Sequence, residues 1–175
     1  MIHYPLPKPF RFSKNQESGQ FLEDRKDRIH CGIDLYAPQD TPVFAVDNGH
    51  IKKTSVFTSP DQNEYWNTTY EIILETDAKY FFRYAELNSV SVKKNDRVIA
   101  GDPIGLVGQV LNPDKIRKNH PTYIQRLVGK DKLSMLHFEM YDSYPEESDK
   151  YLGGNWFGKG KPDGLCDPGS LLSKK

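Results

Sequence analysis

The sequence predicts an all-β fold, a sheet or compact sandwich, and three observations carry that prediction. Short β-rich runs recur at regular spacing, each bounded by turn residues. Aromatic residues make up 12 % of the chain and are rich in Tyr, which suits pleated, half-buried strands. The 13 Gly and 12 Pro are scattered rather than clustered, as turns between many short strands require. At 175 residues the chain reads as one domain large enough to bury a sizeable core.

The elements follow in order. Residues 1–28 read as an extended N-terminal segment packing on a domain of residues 29–175, and prolines at 5, 7 and 9 keep its start polyproline-like. Strand signals begin near Gly32. Thr41-Pro42-Val43-Phe44-Ala45-Val46 is a β-rich run closed by Asp47-Asn48-Gly49, a strong hairpin signal, and His50 to Val56 reads as the return strand. Ser59 to Asn67 is a polar loop. Tyr70–Glu75 and Tyr80–Tyr84 flank Thr76-Asp77-Ala78-Lys79 as a second hairpin. Val90 to Val92 alternates, Lys93 to Asp96 is a charged turn, and Arg97 to Gly108 is a Gly-punctuated run. The stretch 112–133 breaks the pattern as an insertion. There Tyr123, Ile124, Leu127 and Val128 share a helical face between Pro121 and Gly129, which predicts one short helix. After Tyr141 comes a loop-rich tail in which Tyr151 to Gly158 combines glycine with aromatics.

Charge narrows the function classes. Lys plus Arg and Asp plus Glu number 24 each, so no electrostatic case exists for nucleic acid or an anionic membrane. No apolar run is long enough for a transmembrane helix. The N-terminus lacks the apolar centre of a secretory signal, so the expectation is a cytoplasmic protein, export by a non-standard route, or an envelope protein whose signal has been removed. Cys31 and Cys166 do not make a disulfide framework and read as free thiols.

Two segments carry chemistry: His30-Cys31-Gly32-Ile33-Asp34 and Met135-Leu136-His137-Phe138-Glu139. Together they offer two imidazoles and a carboxylate, the ligand set of a catalytic zinc that leaves its fourth position to water. In a straight strand His30 and Asp34 stand about 13 Å apart, so they meet on one ion only if the chain bends, and Gly32 permits that bend. Alternation puts His137, Glu139 and Tyr141 on one strand face and Leu136, Phe138 and Met140 on the other. Glu139 is thus a candidate for orienting an imidazole. Cys31 faces away from His30 in an extended segment, which argues against a thiolate ligand.

With these residues in order, the sequence resembles the lysostaphin-type zinc endopeptidases, whose domain cuts peptide cross-bridges in bacterial peptidoglycan. His30 to Pro38 looks like the first zinc motif, Thr41 to Gly49 like the next hairpin, and Arg83-Tyr84-Ala85-Glu86-Leu87 like the segment carrying a catalytic His. Val98 to Gly108 looks like the Gly-rich turn, and Leu136 to Glu139 like the end of the second zinc motif. The resemblance covers roughly residues 29–141. It implies a mainly β, largely antiparallel fold, a zinc ion (Zn2+) held by His30, Asp34 and His137, and a peptidoglycan or other small-residue peptide as substrate.

The departures concern proton transfer. The first His of the family's His-x-His motif is Met135 here, and the other catalytic His falls at Glu86. A thioether moves no proton, whereas a carboxylate beside water on a metal is a workable general base. Away from this resemblance Glu86 reads as a solvated strand-end carboxylate. His120, in the insertion, is the imidazole available to replace a lost one, and its plain reading is an exposed loop residue. The sequence therefore supports two readings. One is a zinc endopeptidase or amidase with Glu86 as base. The other is an inactive zinc-containing module that binds peptidoglycan or a protein partner. The Gly101–Gly108 turn is also similar to lipoyl-like carrier domains, but no Lys stands at a hairpin tip to be modified.

Overall fold

The computed structural model describes residues 2–8, 11–12, 19–120, 125 and 133–172. A long antiparallel sheet dominates them, as the hairpin signals and the family resemblance imply. In chain order the strands are β1 (Arg11–Phe12), β2 (Ile29–His30), β3 (Ile33–Tyr36), β4 (Pro42–Phe44), β5 (Gly49–Thr58), β6 (Thr69–Thr76), β7 (Phe81–Val90), β8 (Arg97–Val98), β9 (Pro103–Gln109) and β10 (Ser134–Tyr141), all in the long sheet except β2, which pairs with a strand of the tail. The tail adds β11 (Tyr151–Leu152), β12 (Asn155–Trp156), β13 (Leu165–Cys166) and the helix α1 (Gly169–Leu172). The helix expected over residues 121–128 lies outside the described residues except for Gln125. The described part of the insertion holds a short 3-10 turn, Pro113–Lys115, capped by Asn112.

Strand β10 is the hub. One edge pairs with β3 and then β13, and the other pairs with β9 and then β7. Neighbours on both edges bury Leu136 to Tyr141 without a break. One face of β10 joins the main core, where the Phe82 and Phe138 rings stack at 5.5 Å and Leu35, Ile72, Leu74 and Ile104 are fully buried. The opposite face carries His137, Glu139 and Tyr141, also buried, beneath the β11–β12 hairpin.

The Asp47-Asn48-Gly49 turn does not join paired strands. β5 pairs with β6 and β8, while β4 pairs with β9 on one side and reaches Pro5 of the N-terminal segment on the other. The turn's polar groups are used elsewhere: Asn48 Oδ1 accepts from the Ala100 amide and the Asn48 carbonyl from the Asp77 amide. Ala45 and Val46 are instead pinned in the core, the Val46 amide donating to the Tyr84 hydroxyl at 2.9 Å. Turn chemistry located the corner, and long-range partners decided the pairing. The N-terminal segment bonds to this region through the His3 amide and buries Leu6.

The Tyr84–Val46 contact yields a prediction. Tyr84→Phe leaves a buried backbone N–H without an acceptor and should cost about 1–3 kcal/mol in urea unfolding. A loss below about 0.3 kcal/mol would show that the hydroxyl does not anchor this corner.

Candidate metal centre

The bend that the sequence asks of Gly32 is present. A Cβ on Gly32 would stand 2.5 Å from the Phe138 carbonyl oxygen and 3.0 Å from His137 Cε1, so only glycine lets this loop lie against β10. His30 at the end of β2 and Asp34 in β3 thereby reach the same side as His137, which is paired with Asp34 across the ladder. His137 Nδ1 lies 3.0 Å from His30 Nε2 and 3.0 Å from Asp34 Oδ1, and His30 Nε2 lies 3.2 Å from Asp34 Oδ1. Ligands held about 2.0–2.1 Å from a tetrahedral ion stand about 3.3 Å apart, so the triangle is close to the size of one face of a zinc polyhedron.

The outer atoms of both rings are committed. His30 Nδ1 bonds to the Gln20 carbonyl at 2.8 Å, an acceptor only, so Nδ1 carries the proton and Nε2 turns its lone pair inward. His137 Nε2 donates to Glu139 Oε1 at 2.8 Å, which leaves Nδ1 as the inward atom. When both rings are neutral, two nitrogen lone pairs and a carboxylate oxygen converge with no donor among them, a set that suits a divalent cation such as zinc. A proton is the smallest cation that serves. Burial opposes charging of His137, yet hydrogen bonds to Asp34 and Glu139 push it up to about 10. Burial likewise opposes ionisation of Asp34, but the attraction of His30 and hydrogen bonds from both imidazoles hold it well below the usual carboxylate range. Among the described residues this is the one cluster of three or more His, Cys, Asp or Glu placed to share an ion.

Behind the ligands runs a buried ladder of alternating charge. Glu139 accepts from His137, from Tyr151 and Tyr141 hydroxyls at 2.7 and 2.8 Å, and from Arg83 at 2.8 Å. Burial opposes its charge, but Arg83 and these donors hold its pKa well below the usual range. Arg83, directly opposite Glu139 in the ladder, also lies 2.9 Å from Glu71, which pairs with Lys53. The Arg83 guanidinium is covered by the Tyr151 ring at 4.3 Å. Gly154, at φ +76°, closes the site from above: a Cβ there would stand 2.6 Å from His137 Nε2.

Sequence reasoning missed Arg83, Glu71, Tyr151, Gly154 and Gln20. The Gly153-Gly154 pair between Leu152 and Asn155 was a readable hairpin signal, both glycines having positive φ. Nothing local marked the others, because their partners are distant in the chain.

Glu86 sits in β7 one residue past Ala85, which pairs with His137. It adopts φ +63°, rare for a residue with a Cβ, and its Oε2 is shielded from solvent without a hydrogen bond. Burial first, and then the Asp34 charge, push it up to about 8. Met135 lies two residues before His137 and by alternation on the same face. His120 stands elsewhere: its Nε2 bonds to Glu64 at 3.0 Å, its Nδ1 accepts from the Arg117 amide, and its ring lies 4.9 Å from Tyr65. The chain just before the insertion lies nearer the site, and the Asn112 amide that begins the insertion donates to the Tyr65 carbonyl at 2.9 Å. Leu111 bridges to Trp66, whose ring packs on Gly153 beside Gly154. Cys31 and Cys166 are free, and burial with the Glu139 charge pushes the Cys31 thiol up, away from the thiolate a metal needs.

Glu139→Gln removes the charge that fixes the His137 tautomer. Zinc affinity, measured by competition with a chromophoric chelator, should fall about 10–100-fold. An unchanged affinity would mean that Glu139 does not orient the ring.

A family model described as Peptidase family M23 matches residues 28–148, which spans the whole site. A curated relative, an uncharacterized metalloprotease of Buchnera aphidicola subsp. Baizongia pistaciae, is 28% identical over 108 residues, 61% of this chain and 27% of its own length. The chain thus spans about a quarter of that relative. Among solved structures, the catalytic domain of the antimicrobial peptidase lysostaphin from Staphylococcus simulans superposes with a TM-score of 0.57 at 18% identity, over 94% of this chain and 93% of that one. A zinc containing peptidase from Vibrio cholerae gives 0.52 at 23% identity, over 79% and 36%. At such identities the two structures establish the fold, and the family model covers well over half of the sequence: the chain belongs to peptidase family M23.

Proposed function

We propose that this protein is a zinc-dependent endopeptidase or amidase acting on peptidoglycan peptides, with Glu86 as its general base. The observation that carries the reading is the convergence of three donor atoms at 3.0–3.2 Å, tautomers fixed, beside a carboxylate pushed up to about 8. Family membership and the resemblance to lysostaphin-type enzymes supply the substrate class. A zinc ion held by His30, Asp34 and His137 would supply Lewis acidity, polarising the scissile carbonyl and acidifying water. Glu86 then takes one proton from water as the C–O bond forms and delivers it to the leaving nitrogen as the C–N bond breaks. Glu139 and the Gln20 carbonyl keep both imidazoles oriented throughout.

The second reading, a zinc-containing module that binds without cutting, is favoured by Met135, which leaves one proton-transfer position empty. Purified peptidoglycan digested with zinc-loaded protein and resolved by mass spectrometry separates the two. New amine termini are expected. Intact muropeptides across several peptidoglycan types, with zinc fully loaded, would favour the binding module.

Two variants test the roles. Glu86→Gln should lower hydrolysis by about two orders of magnitude or more while zinc content stays stoichiometric. Unchanged hydrolysis would remove Glu86 as base. His137→Ala should lose most of its zinc by elemental analysis, and full stoichiometry would sink the ligand assignment.

A further inference from the structure

The segment that precedes β2 lies against the candidate metal ligands. The His30 amide donates to the Glu23 carbonyl at 3.0 Å and the Arg25 amide to the Arg28 carbonyl at 2.8 Å, which folds residues 23–30 into a tight reversal. Gly19 is drawn across Asp34. The Asp34 amide donates to the Gly19 carbonyl at 2.9 Å, and a Cβ on Gly19 would stand 2.6 Å from both Asp34 Cβ and Asp34 Oδ2. The carboxyl therefore has little room to turn, and its two oxygens meet different surroundings. Oδ1 lies 3.0 Å from His137 Nδ1 and 3.2 Å from His30 Nε2. Oδ2 lies against Gly19, with Arg25 Nη2 at an ion-pair distance of 3.8 Å.

Arg25 does not depend on Asp34 for its place. Its Nε and Nη2 donate to Glu23 Oε2 at 3.1 and 2.9 Å, and its Nη1 donates to Asn155 Oδ1 at 2.8 Å. Glu23 Oε2 also accepts from the Gly19 amide at 2.9 Å. Asn155 Nδ2 in turn donates to the Gly153 carbonyl at 2.7 Å, within the hairpin that covers the site. The guanidinium is thus held by the segment on one side and by the β11–β12 hairpin on the other. Its charge stands beside Oδ2 whether or not Asp34 serves a cation.

We propose that Arg25 is a positioning residue that confines Asp34 to ligation through one oxygen, holding Oδ2 aside while Oδ1 serves the ion. The inference rests on the metal-ligand reading above and not on any bond being cut. Carboxylates bind cations through one oxygen or two, so what faces the second oxygen decides between the modes. Three single-atom ligands leave a tetrahedral site its fourth position, whereas a chelating carboxylate fills one more. Arg25 also lowers affinity, because a fixed positive charge a few ångströms from the ion opposes it. The arrangement favours access by water and substrate over tightness of binding.

The test compares the parent protein with Arg25→Met, loaded with zinc or cobalt(II). Cobalt(II) absorbs strongly in the visible at four-coordinate sites and weakly at higher coordination number. In Arg25→Met the visible absorption per bound cobalt should fall as Asp34 chelates. Zinc, measured by competition with a chromophoric chelator, should bind about tenfold tighter, the size expected of one charge removed at this range in a watery dielectric. Arg25→Lys returns the charge and should restore both readouts, which a merely structural role would not require. Where circular dichroism shows Arg25→Met unfolded, Arg25→Gln, which keeps a donor for Asn155, carries the same comparison. Unchanged absorption, zinc binding no tighter than in the parent, or no recovery in Arg25→Lys would overturn the assignment. A parent protein that binds neither metal would overturn the ligand reading and this inference together. A parent that binds metal and cuts no peptide would sink the hydrolase alone.

Discussion

The Glu139 carboxylate is the group on which the candidate metal centre depends. It accepts four hydrogen bonds, from His137, Tyr141, Tyr151 and Arg83, and is fully buried. Three of these donors serve different requirements of the site. His137 is a candidate ligand, Tyr151 brings the covering hairpin down, and Arg83 ties β10 to β7 and onward to Glu71. A buried carboxylate with one partner removed costs about 3–5 kcal/mol, so the set behaves as a unit. That coupling explains why a polar network can occupy the second face of the central strand, where an apolar core would otherwise be the simpler solution.

The same arrangement makes the site rigid. β10 has neighbours on both edges, so His137 and Glu139 cannot shift along the sheet without breaking ladders to β3 and β7 together. Asp34 enters through the direct pairing with His137, and His30 is held by the Gln20 carbonyl and by pairing of β2 with Asn155. The three converging donor atoms thus sit on strands rather than on free loops, which keeps their spacing near that a tetrahedral ion would require.

Much of this was legible in the sequence because it was encoded locally. The His30-x-Gly32-x-Asp34 spacing contains its own bend, and the alternation around His137 displays the polar face of β10. The second hairpin and the Gly-punctuated β9 also announced themselves through nearby residues. Arg83 and Glu71 were illegible for the opposite reason. Each looks like an ordinary strand charge until the register sets Arg83 across from Glu139. The Asp47-Asn48-Gly49 turn misled about pairing because turn residues report a change of direction and not the identity of the neighbouring strand. Gln20 acts through its backbone carbonyl, which no side-chain pattern reveals.

Glu86 brings two costs to one position. A left-handed backbone at a residue with a Cβ costs of order 1–3 kcal/mol, and a shielded carboxylate oxygen without a donor adds desolvation of about the same size. The backbone has a place in the fold: the β6–β7 register shifts between Tyr70 and Ile72, so Ala85 and Glu86 form a bulge opposite Glu71, while Ala85 and Leu87 fill the core. A chain that needed only a strand at this place would be more stable with glycine or a solvated polar residue. The carboxyl instead faces the charge of Asp34, which with burial keeps it protonated to near neutral pH. A cation bound by His30, Asp34 and His137 would reverse that balance, favouring the carboxylate, the form in which Glu86 can accept a proton. The shielded oxygen of Glu86 and the charge of the candidate metal pocket are therefore linked, and that link, rather than the backbone strain of a bulge, is what this chain sets against the loss of histidine at Met135.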